Sequence, residues 1–253
     1  MLTPSPPLTT LPQLDAQLTD AGWAVLDAPD MARLAALPAA AAAAWKPHWD
    51  DLPPDTYLRD GGRYRRRRHG SFIVEAGHYR SVAHRAHWQP LSYNALHGGI
   101  ERWFEPLPEA LASDAAWASL MTGLAARATA LRGEPDARWF GEAHLFRIDT
   151  TDGIGRPTPE GAHRDGVDFV AVILAAREGV KGGESRVFDA QGPAGQRFTL
   201  TRPWTTLLLD DERVIHETTP IQPAAPGGHR DTLVLTYRSH GFQDPQQGNA
   251  ASG

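Results

Sequence analysis

A series of short candidate strands after Gly133 constrains the fold more than any other feature of the sequence. These segments are rich in Val, Ile, Leu, Phe and Thr, and turn signals such as Asp152-Gly153 and Gly182-Gly183 separate them. Many short strands at such spacing are typical of an all-β sandwich or barrel. The candidate strands cover residues 142–149, 167–175, 184–189, 197–201, 204–209, 214–218 and 232–238.

The first half of the chain is predicted to be mainly helical, apart from a possible short strand at residues 23–26. Helical spacing extends over residues 11–22 and 106–133. The alanine-rich stretch 31–45 favours a further helix, because alanine has the highest helix propensity. At 253 residues the chain is short enough for one β-rich domain. We therefore predict a single domain with a helix-rich part, a β core and a disordered polar tail, at residues 13–135, 136–240 and 241–253.

Composition excludes several classes of site and partner. The absence of cysteine rules out disulfides, thiolate metal ligands and cysteine nucleophiles, and it fits a reducing compartment. A formal net charge of −5 gives no general reason to expect nucleic acid or an anionic membrane as a partner. The N-terminus lacks the basic start and apolar core of a secretory signal, and no apolar run approaches the ~18 residues of a membrane span. A cytoplasmic protein is expected.

The stretch GAHRDGVDFV, residues 161–170, places a histidine and a carboxylate two positions apart before an apolar run. In extended backbone, side chains two apart share a face, so His163 and Asp165 converge while Arg164 points away. A neutral imidazole beside a carboxylate suits a metal ion, a catalytic dyad or an ordinary buried hydrogen bond.

A third partner for this pair is His216, on a candidate strand 53 positions later. Two histidines and one carboxylate occupy three corners of an octahedron and leave three open, as in the non-haem Fe(II) oxygenases. The chain contains 11 histidines, so such a pattern can also arise by chance, and the alternative is a structural hydrogen-bond set.

Arg230 strengthens the interpretation of a metal centre. Residues 220–228 read as a loop, so the strand that starts near Arg230 is expected to return beside the strand that carries His216. A guanidinium there can form a fork onto a carboxylate bound at the metal. Arg238 is eight residues further along the same face, roughly 26 Å away at the rise of a β-strand, so only Arg230 is well placed for this role.

Together, His163-x-Asp165, His216 and Arg230 resemble the signature of the 2-oxoglutarate/Fe(II) dioxygenases. The flanking segments EGAHRDGVDFV, KGGES, HETTPI and HRDTLVLTYR are similar to the branch that contains bacterial L-isoleucine hydroxylase and related free-amino-acid hydroxylases. The resemblance extends over about residues 140–240.

The resemblance implies a mainly β fold with N-terminal helices around a double-stranded β-helix, the cupin-like jelly roll. It implies that His163, Asp165 and His216 hold Fe(II), that 2-oxoglutarate chelates the iron, and that Arg230 pairs with the far carboxylate of 2-oxoglutarate. The implied reaction uses O₂ to oxidise 2-oxoglutarate to succinate and CO₂ while an unactivated C–H bond is hydroxylated.

The substrate implied by this branch is a free aliphatic L-amino acid, or a close derivative such as a small peptide. Its carboxylate could bind Arg147, Arg65 or Arg67, and its ammonium could bind Asp168 or Glu160. We predict these five side chains as substrate contacts.

The arginine-rich run at residues 63–68 has three possible interpretations. It precedes the apolar segment 70–74 and looks like the start of a strand, which would divide its charges between two faces. The run could be a solvated surface, a carboxylate-binding rim of the pocket, or a nucleic-acid contact.

Two other functions stay open. The same chemistry could act on a protein or a larger metabolite, or the chain could be a metal-binding cupin-like protein without oxygenase activity; Arg230 argues against the second. Nucleic acid is disfavoured, because the charge is acidic and no aromatics alternate with basic residues in the second half. His144 is expected to pack in the core or to form a hydrogen bond there, and His84 and His87 are expected at the surface. The sequence does not predict an oligomeric state.

Overall fold

The computed structural model describes residues 4–245 and is mainly antiparallel β-sheet, as predicted. The helices in this range are α1 Leu14–Ala21, α2 Ala28–Leu34, α3 Ala41–Trp45, α4 Pro47–Asp50, α5 Glu109–Ala112 and α6 Ala115–Arg132, with a 3₁₀ turn at Leu11–Gln13. The strands are β1 Trp23–Leu26, β2 Arg65–Glu75, β3 His78–Ser81, β4 Trp139–Asp149, β5 Phe169–Glu178, β6 Val180–Gly182, β7 Ser185–Asp189, β8 Gly195–Phe198, β9 Thr206–Asp210, β10 Val214–Thr218, β11 Ile221–Pro223 and β12 His229–Arg238. Most of the predicted disordered tail, residues 246–253, lies outside the described residues.

Helix α6 forms where the apolar stripe at residues 106–133 predicts it, and its ends follow local rules. The Asp114 carboxylate caps the first turn by accepting a hydrogen bond from the Trp117 backbone N–H at 2.9 Å. Gly133 ends the helix with a left-handed φ of 68°, which glycine adopts without steric cost. The buried stripe packs on the outer face of the large sheet, and the Tyr237 hydroxyl donates to the Met121 carbonyl across this contact.

The alanine-rich stretch 31–45 is not one helix, and that prediction is wrong. Helix α2 ends at Leu34, Ala36 has a φ of +49°, and α3 begins at Ala41. Pro38 explains the break, because proline lacks a backbone donor and disfavours helical geometry at the preceding residue. Local proline chemistry therefore outweighs the helix propensity of alanine.

A seven-stranded sheet with the order β1-β9-β5-β12-β4-β2-β3 forms one side of the fold. Three of its strands, β1, β2 and β3, come from the half predicted to be mainly helical. The strand predicted from the arginine run is confirmed as β2, which pairs with β4 from Arg65 to Val74. The first half of the chain thus contributes three strands to the large sheet, in addition to helices that pack against it.

A three-stranded sheet, β10-β7-β8, and a two-stranded sheet, β11-β6, form the opposite side. Apolar residues such as Val170, Leu174, Val187 and Phe198 pack between the large sheet and the three-stranded sheet. This layering is the predicted jelly-roll arrangement, and the remaining space between its sides contains a polar cavity. In the described part of the chain, no helix combines the length and apolarity that a membrane crossing requires.

Candidate active site

His163, Asp165 and His216 converge at one end of this cavity, as the sequence predicts. His163 precedes β5 and forms an antiparallel bridge with His216 on β10, with N–O distances of 3.0 and 2.9 Å. The bridge sets the two rings side by side, with centroids 4.7 Å apart. Asp165 completes the group: its carboxylate oxygens lie 3.5 Å from His163 Nε2 and 3.8 Å from His216 Nε2. The ligand atoms lie within 4.8 Å of one another and could hold a metal ion.

Two members of this triad are in protonation states that suit a divalent cation, and the third, His163, would lose a proton on binding one. Burial opposes ionisation of Asp165, but the hydrogen bond and charge of His163 outweigh it and lower the Asp165 pKa to about 2. Burial lowers the pKa of His216 to about 4, so its imidazole is neutral at neutral pH. Burial opposes protonation of His163, but the hydrogen bond and charge of Asp165 and the charge of Glu160 raise its pKa to about 10, so a metal ion at Nε2 would displace a proton. The His163 Nδ1 lies 3.0 Å from the Gly161 carbonyl, and donation there would direct the freed Nε2 lone pair to the metal position.

Asp211 anchors the loop that carries Asp165, and sequence reasoning missed this role. Its carboxylate accepts hydrogen bonds from the backbone N–H groups of Asp165, Gly166 and Val167 at 3.0, 2.7 and 3.1 Å. Gly166 has a φ of 76°, a backbone conformation that suits glycine. The only sequence signal at Asp211 is a turn, so its contact with a loop 44–46 residues earlier is not visible in the sequence.

Alternating residues of β2, β4 and β12 form the cavity floor on the large sheet. Cross-strand register puts Arg65, Ile148 and Arg230 in one row, and Arg67, Phe146 and Thr232 in the next. His144 and Glu142 follow in the third and fourth rows. The cavity is therefore a polar chamber, with the possible metal ligands at the loop and β10 and a row of cations on the facing sheet.

Arg230 lies in the cavity with an unpaired guanidinium. It is 2% exposed, and its Nε and Nη2 atoms are buried without a hydrogen-bond partner. Burial, and next the charge of Arg177, lower its pKa to about 10, so it stays cationic at neutral pH. Among residues 4–245, no carboxylate oxygen lies within 4.0 Å of this guanidinium. A bound carboxylate would supply the hydrogen-bond acceptors that its Nε and Nη2 atoms lack.

The strand position predicted for Arg230 is corrected by the topology. Strand β12 pairs with β4 and β5 in the large sheet, and β10 pairs with β7 in the other sheet. Arg230 therefore reaches the cavity from the sheet that faces His216 and does not lie on a neighbouring strand. Strands β10 and β12 are separated in sequence only by the three-residue strand β11 and its flanking loops, yet they lie in opposite layers of the sandwich. The length of the connection does not show this.

The arginine run divides between two faces, as predicted for a strand. Arg65 and Arg67 point into the cavity and are 5% and 3% exposed, whereas Arg66 and Arg68 point outward. Arg65 pairs with the buried Asp55 at 2.7 Å. The Arg67 guanidinium lies between two aromatic rings, 3.7 Å from the Phe104 centroid and 4.4 Å from that of Phe146.

Of the two acids predicted near the substrate, the structure brings only Glu160 to the cavity. Its Oε1 lies 3.6 Å from His163 Nε2, and its Oε2 is buried without a partner. Asp168 is instead held by Arg132 and by the backbone and hydroxyl of Ser239, and it does not line the cavity.

Arg147 lies on the outer face of β4, away from the cavity. Its guanidinium forms two hydrogen bonds with Asp231, at 2.8 and 2.7 Å, and one with Asp50. Strand alternation explains this position, because Phe146 and Ile148 occupy the inner face. The positions of Arg147 and Asp168 do not support the substrate contacts predicted for them.

Several buried polar residues in the cavity were not identified as functional from the sequence. His87 is 7% exposed and lines the cavity, so the expected surface position is wrong. His144 is buried, as expected, and accepts a hydrogen bond from Arg67 at its Nδ1. Glu142 and Arg102 also line the cavity. In the sequence, the alternation of Glu142 with His144 along β4 indicates that these two share a face, and no comparable signal exists for His87 and Arg102.

The family model of the 2OG-Fe dioxygenases, in which 2OG is 2-oxoglutarate, matches residues 46–236 of the chain. The chain belongs to this family. The matched range starts in the N-terminal half and contains His163, Asp165, His216 and Arg230.

Three solved structures are similar to this chain. A bsmA homolog from Methylobium petroleophilum PM1 is 52% identical, with a TM-score of 0.89 over 94% of this chain and 96% of that protein. The structure of IDO from Bacillus thuringiensis is 14% identical, with a TM-score of 0.73 over 92% and 96%. The Fe(II)/α-ketoglutarate-dependent dioxygenase TqaL is 18% identical, with a TM-score of 0.65 over 90% and 86%. At identities of 14% and 18%, the last two similarities show a shared fold alone. No curated protein matches the chain significantly.

As a 2OG-Fe dioxygenase, the protein is an oxidoreductase that uses Fe(II), 2-oxoglutarate and O₂. The side chains in the cavity fit these cofactors. Two histidines and an aspartate suit Fe(II), and the unpaired atoms of Arg230 suit an anionic cosubstrate.

Proposed function

We propose that this dioxygenase hydroxylates an unactivated C–H bond of a free aliphatic L-amino acid, or of a close derivative such as a small peptide. His163, Asp165 and His216 would hold Fe(II), and Arg230 would bind the far carboxylate of 2-oxoglutarate. Succinate and CO₂ would be the coproducts.

The observation that carries this proposal is the mixture of charges and apolar residues in one small cavity. Cationic Arg65 and Arg67 and the acid Glu160 line the same space as Phe146 and Val167. An aliphatic amino acid combines two opposite charges with an apolar tail, and this lining offers contacts for both.

The protein residues would mainly position the substrate and exclude water. Bound iron supplies the O₂ chemistry, and the chain supplies orientation and a dry site. The carboxylate of Asp165 and the neutral ring of His216 are in the protonation states that metal ligation needs. Burial of Arg230 would strengthen its pairing with a carboxylate, because few waters compete in a low-dielectric site.

A screen of free amino acids tests this proposal. The purified protein is incubated with Fe(II), ascorbate, 2-oxoglutarate and one amino acid or small peptide at a time, and succinate and the mass of the amino acid are measured. We expect at least one aliphatic L-amino acid to stimulate succinate formation and to gain one oxygen atom. Stimulation by a protein or a larger metabolite, with none by any amino acid or small peptide, would contradict the substrate proposal.

A further inference from the structure

His87, Arg102 and Glu142, here called the head-group cluster, form a charged corner of the cavity. His87 and Arg102 lie opposite each other in an antiparallel bridge, with reciprocal N–O distances of 2.9 and 3.0 Å. Directly opposite residues project to the same side, so their side chains are neighbours. The His87 Nδ1 lies 2.9 Å from Glu142 Oε2, which brings the carboxylate to the same corner.

Arg102 is a buried cation without an anion. It is 2% exposed, its Nη2 donates to Gln89 Oε1 at 2.9 Å, and its Nε is buried without a partner. Among residues 4–245, no carboxylate oxygen lies within 4.0 Å of its guanidinium. A buried charge is costly unless it is paired, so this position suits an anionic ligand. Arg230 at the other end of the cavity has the same property.

Glu142 and His87 present hydrogen-bond acceptors beside this cation. Burial opposes ionisation of Glu142, but its hydrogen bonds with His69 and His87 hold its pKa well below the usual range. Burial lowers the pKa of His87 to about 4, so its ring is neutral at neutral pH. A neutral His87 that donates through Nδ1 keeps its Nε2 as an acceptor. Both residues line the cavity, where they can accept hydrogen bonds from an ammonium group.

Ligand atoms of His69, His87, Glu142 and His144 lie within 4.8 Å of one another, which raises the alternative of a second metal ion. The Arg67 guanidinium lies 2.6 Å from His144 Nδ1. A guanidinium only donates, so Nδ1 accepts, and the neutral ring carries its proton on Nε2, the atom nearer Glu142. That nitrogen has no lone pair for a metal, so His144 does not complete a metal site with the other three residues.

We propose that the head-group cluster binds the two charges of an α-amino acid, with Arg102 on the carboxylate and Glu142 with His87 on the ammonium. The proposal rests on the amino-acid substrate proposed above and assigns its recognition to residues of this chain. An α-amino acid carries both charges on adjacent atoms, as the cluster requires. Gln89 connects the cluster to the metal position, because its amide accepts from Arg102 and its Nε2 lies 3.5 Å from Asp165 Oδ1. The tail of a substrate held there can extend towards the iron.

Binding measurements with matched ligands separate the two charges. L-Leucine and L-isoleucine are compared with 4-methylpentanoate, which lacks the ammonium, and with 3-methylbutylamine, which lacks the carboxylate. Calorimetry is done without O₂ on protein loaded with Fe(II) and 2-oxoglutarate. We expect Glu142→Gln to weaken binding of the amino acid about 10- to 100-fold while binding of 4-methylpentanoate changes little. Arg102→Gln should weaken binding of the amino acids and of 4-methylpentanoate, which carry a carboxylate, and leave binding of 3-methylbutylamine unchanged.

One measurement shows that the variants are folded, two surface variants serve as controls, and one further variant repeats the test. Affinity for 2-oxoglutarate should stay at the wild-type value in Glu142→Gln and Arg102→Gln, since Arg230 is unchanged. Glu75→Gln and Arg138→Gln, which break an ion pair at the surface, should bind every ligand as the wild type does. If Glu142→Gln does not fold, His87→Asn keeps a donor for Glu142 but removes the second acceptor, and it should weaken binding of the amino acid selectively.

The outcomes distinguish this inference from the substrate proposal. If neither amino acid binds the wild type and none is hydroxylated in the screen, the substrate proposal fails. The head-group assignment is overturned if L-leucine or L-isoleucine binds and the ratio of its affinity to that of 4-methylpentanoate is the same in Glu142→Gln as in the wild type. A second equivalent of bound metal that is lost in Glu142→Gln would also overturn it, in favour of a metal site.

Discussion

Several charged side chains that line the cavity have buried polar atoms without a partner. Arg230 and Arg102 each keep guanidinium nitrogens unpaired, and Glu160 keeps one carboxylate oxygen unpaired. Arg147, by contrast, forms a fork onto Asp231 on the outer face of the sheet. Because an unsatisfied buried polar group costs about 1–3 kcal/mol and more when charged, ligands are the expected partners of the first three residues.

Replacement of Arg230 should weaken 2-oxoglutarate binding more than any other single change on the large sheet. Arg230→Ala removes a buried fork, and we expect the dissociation constant of 2-oxoglutarate to rise about 10- to 100-fold. Arg230→Lys should restore part of the affinity, because an ammonium keeps the charge but not the planar fork. Calorimetry on the Fe(II)-loaded protein measures both, with Arg138→Ala as an exposed control. Unchanged affinity in both Arg230 variants would place the anchor elsewhere.

Removal of one histidine ligand should abolish iron binding and leave the fold intact. His163→Ala and His216→Ala each leave two ligands, which are too few to hold Fe(II), whereas the apolar core between the sheets does not contact the metal position. Metal analysis and thermal unfolding by circular dichroism measure the two effects, with His78→Ala on the exposed β3 as control. Full iron occupancy and full activity in either variant would show that these residues are not the ligands.

At the scale of elements, the turn between β9 and β10 positions the candidate metal ligand Asp165, which lies in a different loop. Asp211 in this turn accepts three backbone hydrogen bonds from the loop of Asp165, so the loop and the turn move together. The neighbouring strand β10 carries His216. One turn therefore fixes the distance between two ligands from different segments.

Asp211→Ala should lower iron affinity although its side chain is not one of the candidate ligands. Residues that orient metal ligands typically contribute about 10- to 100-fold in metal affinity, and we expect a loss in that range. Asp189→Ala is a matched control, because Asp189 supports a turn at the end of β7 by accepting from the Gln191 backbone N–H. Competition with a fluorescent chelator measures the dissociation constant of Fe(II). An affinity equal to that of the Asp189 control would rule out this positioning role.

Alternation and turn signals predicted the longer strands, and they failed where the segments are short or where proline intervenes. Strand β10 has the predicted bounds, 214–218, because the turn signal Asp210-Asp211 precedes it and Pro220 follows it. The three-residue strands β6 and β11 are too short to show a period. Pro38 divides the predicted helix at 31–45, although the composition of that stretch favours a helix.

At the scale of the whole molecule, the convergence of the candidate metal ligands was predictable from the sequence, and the head-group cluster was not. His163, Asp165, His216 and Arg230 lie within one stretch of 68 residues and share a recognisable spacing. The cluster joins Glu142 on β4 with His87 and Arg102 from the N-terminal half, and only tertiary contacts bring these segments together. Sequence periodicity predicts which residues of a strand or helix share a face, but it does not predict which distant segment packs against that face.

Buried neutral histidines should make the protein unstable in mild acid. Burial lowers the pKa of His69 and His144 as well as that of His87, which falls to about 4 from an ordinary value of 6.5. Below pH 6.5 the unfolded chain binds protons at these positions that the folded chain cannot. The free energy of unfolding should therefore fall by about 1.4 kcal/mol per pH unit for each such histidine, down to about pH 4 for His87.

Urea unfolding of the protein without added metal, at several pH values from 7 to 5, measures this dependence. His87→Gln removes one of the groups, so its free energy of unfolding should depend less steeply on pH than that of the wild type, by about 1.4 kcal/mol per unit. Equal slopes for the variant and the wild type would show that His87 does not stay neutral in the folded state.

The fate of labelled dioxygen tests the central claim most directly. The protein is incubated under ¹⁸O₂ with Fe(II), 2-oxoglutarate and the amino acid that gives the most succinate, and both products are analysed by mass spectrometry. We predict one labelled oxygen atom in succinate and one in a hydroxylated amino acid, formed in equal amounts. Labelled succinate without a hydroxylated amino acid, whichever amino acid is supplied, would contradict the account.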